Sequence, residues 1–438
     1  MIDYELAINI IDIIQASLLI MMLAVSWYYV GFFFISLKKV KKVPHSDKYT
    51  RFVVLIPARN EGKVVGNIIH ALKMQTYPKE YFDVYFIVED ENDLTVKLAL
   101  ENGYKYFVRD ELTEQRKTKG FALQECIRYF MNNGIHYDAY MIFDADNVME
   151  TKFIEKMNDV RQTGVQVGVG YRNFTNASTN WLTVCNATLF TYMNTFTSRG
   201  RTELFKKALL SGTGYYIDSE IIDNIGEWIF TGMTEDTELT GYCYYHNVNM
   251  RYYPRAVFYD EQSPDLKVNR RQHMRWIWGF FYDKKKVKAN AKEMNYHATK
   301  ESVHRNALFE YTVGIVPFAI FAIVAFLLII GSFILGIFSI WQDPSFSSTL
   351  FFHVLGQTLF MYSFFFFLAL ITNLHQRKYL KYSASTILWA SATYCFYFVE
   401  LLFAFLDGLF HPKKRKTWSV IKHDGKINNK DANKVIEK

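Results

Sequence analysis

The stretch "RFVVLIPARNE", residues 51–61, decides how this chain is read. A short apolar run breaks at Pro57 and gives way to Arg59, Asn60 and Glu61. That is the pattern of a buried parallel strand ending in a polar loop. Working outward, "GKVVGNIIHALKMQ" (62–75) repeats apolar residues at helical spacing, and "YFDVYFIVEDEND" (81–93) is a second strand tipped with acids. "KGFALQECIRYFMNN" (119–133) reads as a second helix and "YDAYMIFDADN" (137–147) as a third strand, again ending in acids. Strand and helix in alternation predict an α/β sheet, mostly parallel. Ligands of such sheets sit outside the carboxyl ends of the strands. Here those ends carry Glu61, then Glu89 and Asp90, then Asp144 and Asp146.

The flanks are of another kind. "SLLIMMLAVSWYYVGFFFISL" (17–37) carries no charge and is long enough to cross a hydrocarbon core; 311–338, 349–372 and 384–408 are further candidates. The expectation is a multi-pass membrane protein carrying a soluble domain. Its parts are an anchor (1–42), the soluble domain (43–265), interfacial amphipathic helices (266–308), an apolar region of three segments (309–410) and a basic tail (411–438). "MIDYELAINI" has no basic region of a signal peptide, so the first apolar run reads as an anchor. "KKVKK" at 38–42 then places the soluble domain in the cytoplasm, beneath the cell membrane of what the layout suggests is a bacterium. Three full crossings after that domain would leave "HPKKRK" (411–416) outside, so one apolar segment is open to reading as a hairpin or re-entrant element. The net charge of +7 gathers beside apolar segments, where lipid headgroups account for it; membrane lipid is an expected partner and nucleic acid is not. Cys126, Cys185, Cys243 and Cys395 show neither paired nor metal spacing, which suits a reducing compartment. The tail from 424 to 438 is polar and expected to be loose.

Several short groups carry chemistry. Asp144 and Asp146, two apart at a strand end, point the same way and suit a hard divalent cation; a solvated acidic loop is the plainer reading. Lys117 and Lys119 near a helix start suit phosphate, although a solvated basic turn is the plainer reading of either alone. In "TEDTEL" (234–239), Glu235, Asp236 and Glu238 read either as the acidic first turn of a helix capped by Thr234, or as holding a general base. Gln272, Arg275 and Trp276 fall on neighbouring turns of one helix, either with Arg suited to a diphosphate and Trp to a sugar ring, or as part of an interfacial amphipathic helix with an aromatic belt. Glu400, inside an apolar run, reads as a functional group or as a helix–helix hydrogen bond.

Taken in order, "IPARNE", "VED", "KG-F-AL", "FDADN", "SGTGYYI", "TEDTELTGYC" and "QHMRW" resemble the family-2 glycosyltransferases of GT-A fold. The resemblance is greatest to their membrane-embedded branch of cellulose, hyaluronan, chitin and poly-N-acetylglucosamine synthases, and spans about residues 50–280. It implies a Rossmann-like GT-A domain and an inverting, metal-dependent transfer from a UDP-sugar to a growing β-linked glycan. The runner-up is addition of a single sugar to a lipid acceptor. By the same resemblance Glu61, Asp90 and Lys119 would meet the nucleotide, and Asp144 and Asp146 the nucleotide sugar with Mg²⁺ or Mn²⁺. Asp236 would be the base, with Gln272 and Arg275 on the diphosphate. Gly212, Thr213, Gly214, Glu235 and Trp276 would line the acceptor site. "EDENDLT" is shorter than the family's acid-rich turn, and the cellulose-type gating loop and cyclic-dinucleotide domain have no counterpart in this chain. The sequence leaves open a small membrane subunit as partner.

Overall fold

The computed structural model describes residues 31–293, 316–341 and 343–412, together with 6, 9–14, 16, 17, 20, 305–308, 311, 425, 427 and 429–436. Most of the expected 17–37 span and the basic 413–416 stretch lie outside the described residues.

The quoted stretch forms β1 (Phe52–Pro57), buried along its length until Pro57. Around it run α1 (Val65–Lys73), β2 (Phe82–Val88), α2 (Leu94–Glu101), β3 (Lys105–Val108), α3 (Lys119–Asn132), β4 (Ala139–Ile142), β5 (Val148–Met149) and α4 (Phe153–Arg161). Next come β6 (Val167–Phe174), α5 (Trp181–Tyr192), a π-helical turn over Met193–Ser198, α6 (Arg199–Phe205), β7 (Tyr215–Asp218), α7 (Ser219–Ile225), α8 (Glu235–Tyr245) and β8 (Met250–Asp260). The strands make one sheet in the order β3-β2-β1-β4-β7-β6-β8-β5. β1 pairs in parallel with β2 and β4, β2 with β3, and β6 with β8. β7 runs antiparallel between β4 and β6, and β5 antiparallel on β8. The sheet is thus mixed rather than simply parallel. Sequence reading also passed over α2 and β3: "KYFV" is an edge strand whose residues stay partly exposed, so no buried apolar run announces it.

Chain order reverses between β1 and β4, since β1 leads outward to β2 and β3 while β4 lies on its other side. That switch opens the crevice for a ligand at the carboxyl ends of the two strands. Gly214, at φ +70° just before β7, sits where an added Cβ would overlap the Phe258 ring of β8, so only glycine lets the chain enter β7 past that ring.

After the sheet come α9 (Leu266–Glu293), α10 (Val316–Ser339), α11 (Pro344–His375), α12 (Ala384–Phe410) and α13 (Lys430–Ile436). Among the described residues, α11 and α12 are the two helices long and apolar enough to cross a membrane, with mean hydropathies of 1.9 and 1.5. Phe351, Phe352, Leu355, Leu359, Phe367 and Ile371 of α11 are exposed. The inner faces of both helices meet α5, where Leu182, Val184 and Cys185 share a cluster with Phe365, Ala369, Ala390, Tyr394 and Tyr397. Trp278 of α9 stacks on Phe405 of α12 at 5.2 Å, and its indole N–H donates to the Phe405 carbonyl at 3.2 Å. The apolar pair is therefore docked on the sheet domain through α5 and α9. The tail is not all loose either. Ala432 and Val435 of α13 join the main core, while Asn429 donates its backbone N–H to Thr175 O at 2.8 Å and its side-chain amide to Phe174 O at 2.9 Å.

Candidate active site

Lys119 opens α3, whose N-cap Thr118 accepts from the Phe121 amide. The helix can approach closely because residue 120 is glycine; a Cβ there would overlap the Phe230 carbonyl. The Lys119 ammonium donates to Asp144 Oδ1 at 2.5 Å and to the Gly212 carbonyl at 2.7 Å, with Glu235 Oε1 at 3.9 Å. The end of β4, the "SGTG" turn and the start of α8 thus converge on one cation. Thr213 fastens the turn: its hydroxyl accepts from the Asp144 amide at 3.0 Å and donates to Asn147 Oδ1 at 2.5 Å.

Asn147 in turn donates to Asp146 Oδ1 at 3.1 Å and to Asp260 Oδ1 at 3.0 Å. Asp144, Asp146 and Asp260 each offer a carboxylate oxygen, all within 4.8 Å of one another. An all-oxygen, all-carboxylate set of this spacing fits a hard divalent cation, Mg²⁺ or Mn²⁺. Asp260 was not singled out in the sequence, although "AVFYD" is another apolar run tipped with an acid. Arg172 holds it, donating from Nη2 to Asp260 Oδ2 at 2.6 Å and from Nη1 to the Ser211 carbonyl at 2.8 Å. Nothing in the sequence around Arg172 marks that role.

The opening of α8 is held by something other than its expected cap. Thr234 occupies the N-cap position without capping; its backbone N–H and its hydroxyl both donate to Asp283 Oδ2 of α9, at 2.9 and 2.6 Å. Glu238 pairs with Lys286 at 2.6 Å and accepts from the Gly232 amide at 2.8 Å. Glu235 and Asp236 are left facing the cleft. Burial pushes Glu235 up to about 8; Lys119 offsets part of this, while Asp236 and Asp144 add to it. Burial also raises Asp236, against the Thr237 amide and the charges of Lys119, Arg172 and Arg275. For Lys119, burial works downward, but Asp144 and Glu235 outweigh it and hold the ammonium above its ordinary value. Burial lowers Arg275, while Glu235, Asp144 and Asp236 pull it back up. The charge of Arg275, on α9, is thus felt by the same three acids. Gln272 lies half-buried one turn away. Trp276 packs edge-to-face on Phe190 at 5.5 Å.

A buried acid with a raised pKa binds a proton in the folded chain that it loses in the unfolded chain. Between its ordinary 4.5 and about 8, Glu235 therefore makes stability fall as pH rises. Glu235→Gln removes that slope. Its apparent melting temperature should exceed the wild type's by a margin that widens from pH 5 to pH 8; a margin independent of pH would show that Glu235 is not the group responsible.

Glu61 follows β1, half-buried, and its carbonyl accepts the Val64 and Val65 amides at 2.9 and 3.0 Å. Asp90 is exposed beyond β2 and folds back on Asn92, accepting its backbone and side-chain N–H at 2.9 and 3.0 Å. Glu89 instead pairs with Arg59 at 2.8 Å and with Arg109 at 3.4 Å. The structure thus joins Lys119, Asp144, Asp146, Gly212, Thr213, Glu235, Asp236 and Arg275 electrostatically or by hydrogen bonds. Glu61 and Asp90 lie at the neighbouring strand ends, Asp90 turned onto Asn92.

Residues 50–279, just over half of the chain, match the family described as Glycosyltransferase like family 2, and the chain belongs to that family. Among curated relatives, "Probable glycosyltransferase YdaM" of Bacillus subtilis (strain 168) is 30% identical over 245 residues, 52% of this chain and 55% of that one. The chain thus spans about half the length of that relative. Among solved structures, the mannosyltransferase PcManGT from Pyrobaculum calidifontis, in complex with GDP-Man and Mn²⁺, superimposes with a TM-score of 0.57 at 12% identity. The match covers 90% of this chain and 99% of that one, a likeness of fold.

Proposed function

We propose that the chain is a membrane-embedded, inverting glycosyltransferase that moves a sugar from a nucleotide sugar, UDP-linked, to a growing β-linked glycan on its way out of the cell. The observation that carries this reading is the convergence of Lys119, Asp144, Glu235, Asp236 and Arg275 on one cleft beside the Asp144–Asp146–Asp260 cluster. In this reading Glu61 and Asp90 meet the nucleoside. Asp144 and Asp146 hold Mg²⁺ or Mn²⁺, which when bound neutralises diphosphate charge. Arg275 and Gln272 receive the leaving diphosphate from α9, and Lys119 supports it from α3. Asp236 takes the proton of the acceptor hydroxyl as that oxygen bonds to the anomeric carbon. The bond from that carbon to the diphosphate oxygen breaks on the opposite face, the nucleoside diphosphate leaves with the electron pair, and configuration inverts. Gly212, Thr213, Gly214, Glu235 and Trp276 line the acceptor side.

The apolar α11 and α12, docked on α5 and α9, support a position at the inner face of the membrane, with lipid against α11. Membranes containing the chain, given UDP-glucose and UDP-N-acetylglucosamine in turn, should yield long β-linked product from one of them. Product stopped at one added sugar on lipid would replace polymerisation with the single-addition reading. Release of no nucleoside diphosphate from any donor would sink both.

A further inference from the structure

Glu400 is a carboxylate in the middle of apolar α12, and it is buried. Its Oε2 lies 2.6 Å from His273 Nδ1, and Arg270 Nε donates to its Oε1 at 3.4 Å. On the other side of the imidazole, Nε2 lies 3.0 Å from Asn186 Oδ1 and 3.2 Å from the Tyr397 hydroxyl, which donates to the same Asn186 oxygen at 2.6 Å. His273, Asn186 and Tyr397 have no exposed surface. Helices α5, α9 and α12 therefore meet in one polar knot surrounded by apolar side chains.

Stability alone is a poor reason to keep such a knot, because well-packed apolar replacements of a buried charged pair are often neutral or stabilising. Its place in α9 suggests another. His273 follows Gln272 directly and precedes Arg275 by less than one turn. Its ring centroid is 5.3 Å from that of Trp276, and Trp276 rests on Phe190. The Arg172 guanidinium lies over that same Phe190 ring at 4.0 Å and bonds Asp260. A continuous line of contacts thus runs from the acid in α12 to the acid cluster of the cleft.

We propose that Glu400 and His273 are positioning residues: by locking α9 in rotation and height against α12, they set where Arg275 and Trp276 meet donor and acceptor. The inference rests on the transferase reading of the cleft. The test uses the full chain in lipid nanodiscs, with wild-type turnover as the separate check on that reading. Glu400→Leu and His273→Leu should each lower kcat at least about tenfold with donor KM within about twofold, and lower the apparent melting temperature. The double variant H273L/E400L, which removes the buried acid and imidazole together while Asn186 Oδ1 keeps the Tyr397 hydroxyl, should recover the melting temperature while kcat stays at least about tenfold down. Glu400→Gln, which keeps an acceptor for the imidazole N–H, should hold kcat within about threefold. A double variant that regains turnover along with its melting temperature would make the knot merely structural and overturn the proposal. If that variant stays unstable, Glu400→Gln decides: near-wild-type turnover supports positioning, and turnover as low as that of Glu400→Leu at an unchanged melting temperature overturns it.

Discussion

Asp236→Asn lowers turnover by at least about a hundredfold while nucleotide binding persists, because a general base contributes about 10²–10⁴-fold and the amide cannot accept the proton. The substitution is close to isosteric. The Thr237 N–H that donates to Asp236 Oδ1 at 2.8 Å keeps an oxygen acceptor in Asn, so the start of α8 stays formed. The Thr234–Asp283 lock is untouched. A loss of turnover with unchanged UDP affinity and unchanged melting temperature thus isolates the proton transfer. Near-wild-type turnover would end the assignment, and Glu235, the neighbouring buried acid, would become the group to test.

Asp146→Asn should cost at least about as much, on the order of a hundredfold or more, since a cation at a diphosphate is worth several kcal/mol of charge stabilisation. Asp146 is a better probe than Asp144, whose carboxylate also fixes Lys119. Removal of divalent ions by a chelator should abolish activity in the wild type, with recovery on adding Mg²⁺ or Mn²⁺. The variant should need far more of either ion to recover. Full activity in chelator, or a variant with the same ion dependence as the wild type, would remove the cation from the account.

The fold was legible where burial leaves a mark on composition. β1, β2 and β4, with the helices α1 and α3 between them, are dense apolar runs broken by polar loops, and each formed where that pattern said. Strand direction was less legible. β7 is four residues, "YYID", with nothing in it to say that it would run antiparallel to β4. The acids at the ends of β2 and β4 could be read because an acid after a buried strand is conspicuous. The groups that hold them could not. Arg172 reaches Asp260 across 88 positions, and Asp283 reaches Thr234 across 49, distances at which only the folded backbone says what is adjacent. Thr234 shows the limit well. Its local pattern announces a cap, and the tertiary partner on α9 takes the hydroxyl instead. At Glu400 the sequence offered two readings, and the structure supplies the helix–helix bond to His273.

The central claim is that acids far apart in the chain surround a single cation-held sugar nucleotide. Crystals of the full chain grown with Mn²⁺ and the UDP form of its donor, measured at the manganese absorption edge, test it most directly. One anomalous peak is expected in contact with Asp144 or Asp146 and with the diphosphate, with the sugar carbon facing Asp236. Manganese bound away from both aspartates, or a nucleotide seated outside the cleft between α3, α8 and α9, would contradict it.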